Sequence, residues 1–156
     1  MPSNSSDAVF NFEAVVFAGG LLFLILVVHA VYMYLVDDWY EKIIDRLVQK
    51  GSPALMRLVF YVMSFVLTLS HLLEIYIWGY ALYLTGLIGH LHPAMVFAGS
   101  AYTTVGFGTN PLPHSWDLVM VVIALSGMVA FGWSISVLVS MTQYYKIARA
   151  KSNSRS

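Results

Sequence analysis

Three long apolar stretches, divided by short polar ones, set the pattern of this chain. Ala14 to Val36 runs without a formal charge, and at helical rise it is long enough to cross a hydrocarbon core of about 30 Å. Ala54 to Gly86 is longer, interrupted by Arg57 near its start and by His71 and Glu74 near its middle, so it has length to tilt or protrude. Trp116 to Met141 is the third, and each of the three predicts a membrane-spanning helix. Between the second and third, Leu87 to Pro93 reads as a connection. Pro93 to Thr103 is apolar and small-residued but too short to span, which predicts a half-helix. Its carboxyl end leads into Thr104 to Gly108, where the helix dipole places partial negative charge suited to a cation. Pro111, Pro113 and Asp117 mark the return to the third span.

The stretch from Asp37 to Lys50 has a different period. Trp39, Ile43, Ile44 and Leu47 recur at helical spacing while charges take the other face, which predicts a helix lying along the membrane surface. Gly51-Ser52-Pro53 supplies a stop and restart, with Ser52 suited to an N-cap and Pro53 to the first helical position. The organisation expected is therefore an N-terminal segment and first span (1–36), a cytoplasmic interfacial helix and turn (37–53), a unit of two spans and a half-helix (54–145) and a basic tail (146–156).

Composition fixes the class: 59% of residues are hydrophobic, 10% are charged and mean hydropathy is +0.75, as in an integral membrane protein with one membrane domain. No basic residue falls between Met1 and Glu13, so a secretory signal is not expected and the first span should stay. The absence of cysteine excludes disulfides and thiolate metal sites. Eight basic residues balance eight acidic ones, which gives no footprint for nucleic acid. Lys42, Arg46, Lys50 and Arg57 flank the first connection, and Lys146, Arg149, Lys151 and Arg155 form the tail. Both groups belong in the cytoplasm, with the N-terminus outside a cell membrane and the basic tail able to touch anionic lipid.

The chemistry concentrates in Thr103-Thr104-Val105-Gly106-Phe107-Gly108. Glycines at 106 and 108 admit backbone angles closed to residues with a Cβ, so a run of carbonyls can turn toward one axis and replace the water shell of an ion. Potassium filters do this with Thr-Val-Gly-Tyr-Gly, and Phe107 stands at the tyrosine position. A loop of bare carbonyls at membrane depth is tolerated only where it lines an enclosed wet cavity. One chain offers one such loop, and closure by a homotetramer in the lipid bilayer is expected.

Residues 54 to 145 resemble the outer helix, pore helix, filter and inner helix of the potassium-channel pore family, closest to its small prokaryotic members. The likeness rests on Tyr102 through Gly108, on Trp116 where inner helices often begin, and on Gly127-Met128-Val129-Ala130-Phe131-Gly132 as the inner-helix hinge region. His71-Leu72-Leu73-Glu74 with Trp78, and Gly132-Trp133-Ser134, also resemble features of short bacterial channel-like proteins. The resemblance implies an all-α membrane protein of three transmembrane helices plus a re-entrant pore helix and filter loop, assembled as a tetramer. Thr104, Val105, Gly106 and Phe107 would contribute carbonyl rings for K+, the Thr104 hydroxyl the innermost site, and Gly108 the outer turn. Ser100, Tyr102, Thr103 and Thr109 would support the filter. The sequence departs from the family at Thr109, where aspartate is usual, at Ser100, where some members carry a buried glutamate, and at Val96 and Phe97, which replace tryptophans. No cofactor beyond the permeant ion and no enzymatic activity is expected.

Glu74 is the other residue singled out, because an ionisable side chain in mid-membrane is costly and normally faces protein or water. Three roles are open to it: a brace reaching toward Ser100 or Tyr102 behind the filter, a metal site or proton relay with His71, or a locally satisfied structural pair. His29 is expected to be packed and hydrogen-bonded. His90, His92 and His114 fall near the external mouth, where protonation would alter cation entry. Gly127 and Gly132 either let the third span bend in gating or let helices approach closely. A bend would place a constriction near Ser136, Val139 and Ser140. No segment carries the spaced arginines of a voltage sensor. Three functional classes remain at this point: a potassium-selective channel, a non-selective cation channel, and a non-conducting accessory or metal- or cofactor-binding membrane protein with a pore-like fold.

Overall fold

The structure, a computed structural model, describes residues 11–153, the last three through their backbone alone. Residues 1–10 of the start that lacks basic residues, and the tail position Arg155, lie outside the described residues. The described residues form four α-helices and one short 3-10 turn: α1 (Phe12–Gln49), α2 (Pro53–Leu84), α3 (Leu91–Tyr102), the turn His114–Trp116 and α4 (Asp117–Asn153). Among the described residues, three helices are long and apolar enough to cross a membrane.

Local chemistry sets the helix ends. The Asn11 side-chain oxygen accepts from the Glu13 and Ala14 amides at 3.0 and 3.4 Å, capping α1. Gly51, at φ +62°, closes α1, with its amide bonded to the Val48 carbonyl and the Ser52 amide bonded to the Leu47 carbonyl. Pro53 then opens α2 where no amide hydrogen is needed. At the other end of α2, Gly86 takes φ +71° and the Ile88 amide reaches back to the Leu82 carbonyl at 3.2 Å. That left-handed step stops the helix at Leu84, two residues short of the expected end.

One expectation is corrected. Residues 37–50 do not form a separate helix, because no glycine or proline interrupts the chain between Val36 and Gln49 and α1 continues through them. The buried stripe there is Val36, Tyr40 and Ile44, and Trp39 is exposed. The helix that carries the third span continues past Met141, through Lys146 and Arg149 to Asn153.

The chain falls into two units, one made of residues 1–27 and 72–129 and the other of residues 28–71 and 130–156. In the second, Met33, Val36, Tyr40, Ile44, Met56, Leu67, Met141 and Ala148 form a closed apolar core. Tyrosine hydroxyls tie its helices by donating to backbone carbonyls: Tyr40 to Met141 at 3.1 Å and Tyr32 to Val66 at 2.7 Å. Tyr144 donates to the Asp45 carboxylate at 2.7 Å. The first unit packs Ala14, Ala18 and Ile25 of α1, Trp78 and Leu82 of α2, Ala94, Ala98 and Tyr102 of α3, and Val119 and Ile123 of α4. It holds the whole loop from Thr103 to Pro113.

A candidate ion-coordinating loop and its supports

Helix α3 is seated by small residues. A Cβ on Gly79 would lie 2.7 Å from the Met95 sulfur and 3.0 Å from its Cα, so α2 and α3 meet backbone to backbone at this point. Ala94 and Ala98 are fully buried on the same short helix. On the α4 side the approach is closer still: a Cβ on Gly127 would lie 2.9 Å from the Tyr102 carbonyl carbon, with the carbonyl oxygen nearer. Gly127 is thus a packing contact beneath the end of α3. Gly132, the other expected hinge position, has nothing within 4 Å of a built Cβ.

The chain leaving α3 folds back on the helix that precedes it. The Thr103 amide donates to the Gly99 carbonyl, the Thr104 amide to Ala101, and the Val105 and Gly106 amides both to Ser100, at 2.9 to 3.3 Å. The Thr103 hydroxyl adds a bond to the Gly99 carbonyl at 2.7 Å. Backbone handedness alternates through this stretch. Thr104, Gly106 and Gly108 stand at φ +58°, +67° and +90°, and Val105 and Phe107 between them do not enter the positive region. Alternation of this kind lines successive N–H groups on one side of a chain and separates them from the carbonyls. Among the described residues, the carbonyls of Thr104, Val105 and Gly106 accept no hydrogen bond, while the Phe107 carbonyl accepts one from the Ser100 hydroxyl at 3.1 Å. Ser100 therefore supports the loop through both its backbone and its side chain.

Buried polar pairs hold the surrounding helices. The Tyr102 hydroxyl donates to the Glu74 carboxylate at 2.8 Å, with Tyr102 0% and Glu74 2% exposed. The structure thus places Glu74 against the residue that both ends α3 and rests on Gly127. One turn along α2, the Trp78 indole N–H donates to Ser126 at 2.9 Å, and Ser126 donates to the Ile123 carbonyl at 2.7 Å. On the return side, the Asn110 amide donates to the Asp117 carboxylate at 2.6 Å and the Asn110 side-chain oxygen accepts from the Leu112 amide at 3.1 Å. Phe17 of α1 meets Trp116 edge-on at 5.8 Å.

Sequence reasoning missed three of these contacts. Ser126 and Gly79 are small residues in apolar helices, and only their tertiary neighbours reveal what they do. Asn110, not singled out in the sequence, holds the return through Asp117, whereas Thr109, expected to support the filter, is exposed. His29 and His71 pack among rings: His29 lies 5.8 Å from both His71 and Trp133, and His71 lies 4.3 Å from Phe131. His90, His92 and His114 are exposed, with His114 3.4 Å from Asp117. Among the described residues no group of three or more His, Cys, Asp or Glu is placed to hold a metal ion. No protein family, curated protein or solved structure matches the chain.

Proposed function

We propose that this chain forms a homotetrameric potassium channel, with α3 as a re-entrant pore helix and Thr104 to Gly108 as its filter. The observation that carries the reading is the alternating backbone of Thr104–Gly108, in which the Thr104, Val105 and Gly106 amides are spent on α3 while the carbonyls of the same three residues make no hydrogen bond among the described residues. Unsatisfied carbonyls are costly at membrane depth unless a cation or water meets them. Four copies of the loop around an axis provide rings of such oxygens, the arrangement by which potassium filters replace a hydration shell. The positive-inside pattern puts the C-terminus in the cytoplasm and the N-terminus outside the cell membrane. The function is transport, with K+ as permeant ion and no catalytic step.

A second reading, a cation channel of weak selectivity, draws on one observation. Ser100 holds the Phe107 carbonyl, leaving three backbone rings and the Thr104 hydroxyl to the ion. Reconstitution of the purified protein in liposomes decides between them. Potassium uptake far exceeding sodium uptake is the expected result. Equal uptake would favour the second reading, and no uptake by a tetramer of verified mass would sink both.

Glu74 and Tyr102 make a double-mutant cycle that tests the support behind the filter. Tyr102→Phe removes a hydrogen bond to a buried carboxylate, worth about 1.5–3 kcal/mol. Glu74→Gln keeps an acceptor but not the charge, so its loss should be smaller. The two should couple by about 0.5–3 kcal/mol in thermal unfolding, and both should lower the potassium-to-sodium flux ratio. Unchanged unfolding and unchanged flux in both variants would remove Glu74 from any supporting role.

A further inference from the structure

The second unit contains a cavity of about 650 Å³ whose walls come from the start of α2 and the end of α4. Arg57, Lys146 and Arg149 line it together with Phe60, Tyr61 and Tyr145, and no acidic residue contributes to it. Among the described residues these three cations make no ion pair and no hydrogen bond. Elsewhere in the same unit Lys42 is paired to Asp38 at 2.6 Å. Phe60 and Tyr145 pack at 6.3 Å and Phe60 and Tyr61 at 5.9 Å, so an apolar wall adjoins the charges. Three cations converging on one concavity next to an aromatic wall suit a ligand with an anionic head and an apolar body.

The position in the helices identifies the source of that ligand. At 1.5 Å per residue, α2 and α4 are about 48 and 55 Å long, well beyond a hydrocarbon core of about 30 Å. The N-terminal turns of α2 and the C-terminal turns of α4 carry the basic residues, which belong at the headgroup layer rather than in the core. We propose that the cavity is a binding site for an anionic phospholipid, with Arg57, Lys146 and Arg149 on the phosphate and Phe60, Tyr61 and Tyr145 against the start of an acyl chain. This goes beyond the ion-conducting reading and does not depend on it. It also differs from a diffuse attraction of the tail to a charged surface, since it names one cavity with a defined set of walls.

The test is lipid binding by the full chain in detergent, followed by native mass spectrometry and by thermal shift on titration with phosphatidylglycerol, phosphatidylcholine or inorganic phosphate. Phosphatidylglycerol should bind and raise the unfolding temperature, with phosphatidylcholine and phosphate giving little. Each cation near a charged lipid contributes roughly fivefold, so Arg57→Gln with Lys146→Gln and Arg149→Gln should weaken binding on the order of a hundredfold. A charge-matched control, Lys42→Gln with Arg46→Gln and Lys50→Gln, should leave it within about twofold. An equal loss in the control would show a non-specific surface effect and overturn the site. Saturation by inorganic phosphate that blocks phosphatidylglycerol, or equal binding of phosphatidylcholine, would also overturn it. Tyr61→Ala, which keeps every charge, should selectively weaken long-chain over short-chain phosphatidylglycerol, and no chain-length effect would refute the apolar half of the proposal.

Discussion

Gly106→Ala should abolish potassium flux while leaving the protein folded and inserted. Gly106 stands at φ +67°, and a Cβ built on it meets nothing within 4 Å of its own chain. The penalty is thus conformational, about 1–2 kcal/mol for an L-residue held in the left-handed region. That is too little to unfold a helical membrane protein, yet enough to favour a flip of the local backbone to negative φ. Such a flip would end the alternation between Thr104 and Gly108 and reorient the flanking carbonyls. Liposome flux together with thermal unfolding separates the two effects. Gly89→Ala is the control, because Gly89 also has open space around it and no positive φ, and it should conduct normally. A D-alanine introduced at position 106 by semisynthesis prefers positive φ and should restore flux. Wild-type flux through Gly106→Ala would disprove the filter role of this loop.

Parts of the site were legible in the sequence and others were not. Glycines at 106 and 108 announce a left-handed backbone because they lack a Cβ, and both have it. Thr104 gives no such signal: a β-branched residue at φ +58° is unfavourable on its own terms. It is held there by the bonds that its own amide and those of Val105 and Gly106 make to α3. Glu74 was legible because a carboxylate in an apolar helix needs a donor, and the Tyr102 hydroxyl supplies one. Ser126 and Gly79 were not legible, since their roles exist only once α2 meets its neighbours. The three apolar helices followed directly from their run lengths. The polar segment after Val36 was misread because its charges suggest a boundary, whereas a helix ends where its backbone is broken. That break comes at Gly51.

The largest structural effect is expected at Gly127. Gly127→Ala drives a methyl group into the Tyr102 backbone carbonyl, and a backbone group, unlike the end of a long side chain, cannot move aside alone. Overpacking of this kind costs about 1–3 kcal/mol and sometimes more. Relief requires moving the end of α3, which carries the Tyr102 to Glu74 bond and the amide contacts that shape the loop. Gly127→Ala should therefore lower the unfolding temperature and eliminate selective flux together. Gly132→Ala tells packing from bending. Both substitutions stiffen α4 alike, and in an exposed helix interior alanine is favoured over glycine by about 1 kcal/mol. Position 132 has nothing for the new methyl to strike, so Gly132→Ala should be neutral or stabilising and should conduct. If α4 instead bends at these glycines during gating, Gly132→Ala will impair opening without loss of stability, and Gly127→Ala will behave the same way. Equal loss of flux in the two variants at unchanged unfolding temperature would thus replace the packing account with a hinge.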